Sequence, residues 1–112
     1  MEKERRREDR IRPAQQPKGK FYLSIGNQCH DVQAVVDVSP FGVGLRIDSA
    51  INNGTDINLK YQHEAIEMEV NGSVAWNKTV EQEPPSYLVG ISLRPEDIES
   101  NILFFRTVTG QI

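Results

Sequence analysis

The sequence predicts an all-β domain with one C-terminal helix, arranged as a six-stranded antiparallel split β-barrel. Three observations lead there. Apolar residues alternate with polar ones at period two from Phe21 to Leu93, the mark of half-buried antiparallel strands. No crossover helix pattern separates these runs, so a parallel α/β sheet is excluded. Helical spacing enters only in the last segment, where one helix can cover an open end or edge of the barrel.

The strands follow in chain order. Phe21, Leu23 and Ile25 alternate with Tyr22 and Ser24, and Gly26–Asn27 reads as a turn. Val32, Ala34, Val36 and Val38 share one face, with Val35 the exception, and Asp37 and Ser39 fall on the polar face. After Pro40, Val43, Leu45 and Ile47 form the third strand, and Ile57, Leu59 and Tyr61 the fourth. Asn71–Gly72 is a hairpin signal, yet a hairpin there would mix both faces. One long strand instead points Ile66, Met68, Val70, Val74 and Trp76 inward, with Gly72 permitting a bend. Glu81–Ser86 reads as a polar loop, and Tyr87, Val89, Ile91 and Leu93 as the last strand. In "RPEDIESNILFFRTVTG", Pro95 suits a first turn, and Glu96 and Asp97 suit the positive end of the helix dipole. Ile98, Ile102 and Phe105 share a helical face, and Gly110 suits a stop.

Composition limits the function. The chain has 112 residues and a net charge of -3, which suits one domain. Residues 1–20 hold eight Lys or Arg against four Asp or Glu, a balance of +4, while the rest hold five against twelve, a balance of -7. So acidic a body disfavours a nucleic-acid polymer as partner, because phosphate backbones need a broad basic footprint. No apolar run suits membrane insertion, and the charged N-terminus lacks a secretory pattern, so a cytoplasmic protein is expected. Cys29 is the only cysteine, and His30 and His63 have no companions that would make a zinc site. With no base-activated nucleophile, metal cluster or phosphate-cradling loop, an enzyme is not expected.

Two motifs remain. "RRREDRIR" (Arg5–Arg12) places Arg6 and Arg10 at R-x-x-x-R spacing, and "DVSPFG" (Asp37–Gly42) reads D-x-S-x-x-G. The alternation aims Asp37 and Ser39 out of the barrel, where a basic arm can lie, and Gly42 allows close approach. Gly44 reads as ordinary bulge geometry and Trp76 as core. Together with "VGLRI", "GSVAW" and "LVGISL" in that order, the pair of motifs resembles the PilZ domain family over nearly the whole chain. The resemblance implies a six-stranded antiparallel barrel and binding of cyclic di-GMP, a bacterial second messenger. It divides the chain into a flexible basic arm (1–20), a barrel (21–94) and a packed helix (95–112).

The residue types suit such a ligand. A guanidinium fork matches guanine O6 and N7 bidentately, pairs with phosphate and stacks on flat bases. A carboxylate accepts from guanine N1 and N2, and a hydroxyl adds one polar contact. By resemblance, Arg6 and Arg10 take phosphate and guanine, Asp37 and Ser39 a guanine edge, and Gly42 shapes the adjoining turn. Arg5 precedes the motif, at a place that in the family goes with a second, intercalated ligand. An arm without an apolar face is expected to order on the ligand and so change the surface shown to an effector protein. The alternative is an adaptor barrel acting through protein contacts without the nucleotide.

Overall fold

The computed structural model describes residues 17–110. Seven strands precede the helix: β1 (Lys20–Ile25), β2 (Gln28–Asp31), β3 (Ala34–Val38), β4 (Gly42–Ile47), β5 (Asp56–His63), β6 (Ile66–Gln82) and β7 (Pro85–Leu93). They form one antiparallel sheet in the order β2-β1-β5-β6-β7-β4-β3. The strand beyond the expected six is β2, a short edge strand that pairs with β1 across the Gly26–Asn27 turn. Its residues are largely exposed, so it carries little of the apolar alternation that marks a strand in a sequence.

The topology forces the sheet to curl. Its two edge strands, β2 and β3, are consecutive and joined only by Val32 and Gln33. Three residue steps span at most about 11 Å, whereas a flat sheet of seven strands would hold its edges about 29 Å apart. The linker ties both sides of the gap. Val32 N–H donates to the Phe21 carbonyl of β1 (3.4 Å), and Gln33 N–H donates to the Arg46 carbonyl of β4 (2.8 Å). The result is a curled half-barrel with an apolar concave side.

That side holds Leu23, Val35, Val38, Leu45, Ile47, Leu59, Val70, Val74, Val89 and Ile91 among its buried residues. Burying each fully is worth about 1.5–3 kcal/mol. After a 3-10 turn at Pro95–Asp97, α1 (Ile98–Thr109) packs over it. Phe104 sits edge-on to Phe21 and Tyr61 at 6.4 and 6.5 Å between centroids, and those two rings lie 4.8 Å apart. The Tyr61 hydroxyl donates to the Lys18 carbonyl at 2.7 Å. Burial, and then the nearby Glu64 carboxylate, raise its pKa above the ordinary 10 and hold it in the donor form.

The buried face of α1 is Asn101, Phe104 and Val108, not the expected Ile98, Ile102 and Phe105, which stay half-buried. Phe104, packed on Phe21 and Tyr61, sets the phase, and Asn101 is carried in with it. The Asn101 amide donates to the Arg94 carbonyl (2.9 Å), its Oδ1 is buried without a partner among the described residues, and Arg94 N–H donates to the Asn71 carbonyl in β6 (3.1 Å). This pins the start of the helix to the sheet, one residue round from the aliphatic stripe.

The long β6 is a single strand through Asn71–Gly72, as its alternation requires. It also runs on to Gln82, and β7 begins at Pro85, so the expected Glu81–Ser86 loop shrinks to a tight turn. Polar residues there pair as a strand because this end of β6 is exposed and needs no apolar face, while the buried Ser86 of β7 accepts from Arg46 (3.2 Å) and donates to Gln33 (3.4 Å). Ile66, expected inside, is likewise exposed at the other end of β6.

A carboxylate and an indole across a glycine floor

The convex face of β3, β4, β7 and β6 carries the candidate site, and two irregularities in the ladders create it. Between β3 and β4 the register runs Val35↔Leu45 and then Asp37↔Gly44, which leaves Val36 as a bulge. Val35 and Val38 therefore both turn inward. This explains Val35, the exception to the alternation, and leaves Asp37 on the convex face as expected. Between β6 and β7 the register runs Val74↔Ile91 and then Trp76↔Gly90, which leaves Ala75 as a bulge. One extra residue reverses the phase of a strand. Trp76, expected in the core, is 48% exposed on the convex face.

The registers join into one row: Asp37 beside Gly44, Gly44 beside Gly90, Gly90 beside Trp76. The two glycines make a floor without side chains between a carboxylate and an indole. Both flanking groups lean over it. A Cβ on Gly44 would lie 3.1 Å from Asp37 Oδ1, and one on Gly90 would overlap Cε2 and Nε1 of Trp76. The surrounding cleft of about 300 Å³ is completed by Phe41, Gly42, Val43, Ala75, Ile91 and Ser92. Phe41, half-exposed at its rim, adds a second aromatic face.

Ser39 takes a different place from the outward one expected. It is fully buried. Its Oγ accepts from the N–H groups of Phe41 and Gly42, both at 3.1 Å, and donates to the Gly42 carbonyl at 3.4 Å. Ser39 N–H also donates to the Gly42 carbonyl (2.9 Å). The hydroxyl therefore closes the Ser39–Gly42 turn and fixes the approach of Phe41 to the cleft. Gly42 is buried opposite Ser92. Arg5, Arg6 and Arg10 lie outside the described residues.

A PilZ domain model matches residues 4–109. The chain belongs to the PilZ domain family. Among solved structures, this PilZ chain is similar to the PilZ domain with c-di-GMP of YcgR from Escherichia coli, at 14% identity and a TM-score of 0.61 over 92% of each chain. It is also similar to the K. pneumonia MrkH–c-di-GMP complex, at 15% identity and a TM-score of 0.64, over 94% of this chain and 49% of that one. At such identities the likeness is one of fold. A search of curated proteins found no match.

Sequence reading missed Gly44, Gly90 and Trp76 as members of this cleft. For Gly90 and Gly44 a signal exists: each is a glycine within a strand, at a convex-phase position, which points to close approach. For Trp76 the bulge hides it. Among the described residues, no group of three or more His, Cys, Asp or Glu is placed to hold a metal ion, and no helix is long and apolar enough to cross a membrane.

Gly90→Ala tests the floor directly. The methyl must displace the Trp76 indole, which sits at the surface and has room to swing. The expected result is a folded protein with a shifted tryptophan emission maximum. Unchanged emission would show that the indole does not rest on Gly90.

Proposed function

We propose that the chain is a receptor for cyclic di-GMP that acts without catalysis, by changing its contacts with an effector protein. The observation that carries this is the row Asp37–Gly44–Gly90–Trp76. A flat guanine can stack on the Trp76 indole, which covers Gly90, and give its N1 and N2 hydrogens to the Asp37 carboxylate, which leans over Gly44. Phe41 borders the same space. Arg6 and Arg10 supply the guanidinium forks for phosphate and guanine, and a basic arm suits a ligand with two phosphates. In this reading Ser39 and Gly42 act by shaping the turn that carries Phe41, and Arg5 favours a second stacked ligand molecule.

The family membership and the solved relatives in complex with c-di-GMP support the ligand. Ordering of the arm is the proposed signal, and its cost sets affinity near micromolar, about -8 kcal/mol.

Trp76 is the sole tryptophan, so titration with cyclic di-GMP should change its fluorescence, with GTP as the control. Calorimetry gives the stoichiometry, one ligand or two. Asp37→Ala should weaken binding about tenfold, as losing hydrogen bonds to a charged acceptor does. No heat and no fluorescence change would leave the ligand-independent adaptor as the reading. Binding with wild-type affinity in Asp37→Ala would remove the row from the site while keeping the ligand.

A further inference from the structure

The exposed face of α1 carries a pattern that the cleft does not use. Leu103 is 52% exposed, the most exposed large hydrophobic residue of the domain among those described. Glu99 lies four residues before it and Arg106 three after, so the three share one strip of the helix surface. Half-buried Ile102 lies beside the strip, and Asn101, Phe104 and Val108 hold the other side of the helix against the sheet. Glu99 and Arg106 form no ion pair among the described residues.

The strip is complementary to itself. Glu99 and Arg106 are one heptad apart, about 10.5 Å along the axis and about 20° apart around it. Leu103 falls near their midpoint. If a second α1 packs antiparallel about a two-fold axis at that midpoint, each Glu99 meets the other Arg106, Leu103 meets Leu103, and Ile102 meets Ile102. Antiparallel packing also sets opposite ends of the two helix dipoles together. A two-fold interface requires this kind of self-complementary patch.

We propose that α1 is a docking surface for a second copy of this chain, joined by the Glu99–Leu103–Arg106 strip. The contact is smaller than a standard interface, so the dimer is weak and reversible. It lies on the helix side of the sheet and leaves the convex cleft open, so the dimer and the nucleotide reading stand or fall separately.

Sedimentation of the full chain from micromolar to millimolar concentration tests this. The expected result is a monomer–dimer equilibrium within that range. Leu103→Lys should weaken it about tenfold or more, with an unchanged circular dichroism spectrum. Glu99→Arg and Arg106→Glu should each weaken it, and the two substitutions together should restore it, since the exchanged charges again face their opposites. A monomer at every concentration overturns the proposal. So does a dimer indifferent to Leu103→Lys, or one that the double exchange fails to restore.

Discussion

Gly72→Ala should cost about 3 kcal/mol of stability, the upper range for overpacking. Gly72 lies in the middle of β6, paired with Ile57 on one side and Leu93 on the other. An added Cβ would overlap the Ser92 carbonyl oxygen and sit 3.0 Å from the Ser92 carbonyl carbon and 3.1 Å from the Leu93 Cα. All three obstacles are backbone atoms in the middle of the sheet. They cannot turn aside as the Trp76 indole can, so relief requires parting β6 from β7. Denaturant unfolding reads the effect as a lower midpoint. Gly26→Ala is the comparison, because a methyl there meets nothing within 4 Å and bears only the strain of φ = 58°. Equal losses at both positions would show that crowding at Ser92 is not the cause.

The second large effect belongs to binding. Arg10→Ala should weaken cyclic di-GMP binding by about 2–3 kcal/mol, roughly 30- to 150-fold, the range for losing charge-assisted bonds. The thermal midpoint should stay that of the parent, since the residue precedes every described strand. Arg10→Lys should recover only part of the affinity, because an ammonium supplies charge without a planar fork. Affinity equal to the parent's in Arg10→Ala would take the R-x-x-x-R arginine out of the site.

Most of the fold was legible in the sequence because burial on one side of a strand writes itself as alternation. β1, β4 and β5 read cleanly from Phe21 and Leu23, from Val43, Leu45 and Ile47, and from Ile57, Leu59 and Tyr61. Misreadings came where another force sets the phase. Val36 and Ala75 are bulges, and nothing in a single alternation reveals an unpaired residue. Phe104 packs on Phe21 and Tyr61, so its face of α1 turns in, carrying Asn101 to its bond with the Arg94 carbonyl and leaving Ile98 and Ile102 on the flank. Of the candidate site, Asp37 was legible as an outward carboxylate. Trp76 was not, since its place depends on Ala75. Ser39 was legible as a member of a motif but not in its position, because a buried hydroxyl that closes a turn and an exposed one look alike in sequence.

The Ala75 bulge also fixes what kind of genetic change can reach the cleft. Along β6, the residues before it are read in one frame, with Val70 and Val74 inside, and those from it to a second bulge at Val80 in the other, with Trp76 outside. Point substitutions change the letters at either place but leave the frame alone. Only a gain or loss of one residue between Val74 and Trp76 would shift it, carrying the indole off the cleft toward the concave side. At that position the spacing of the message, rather than its spelling, keeps lining and core apart.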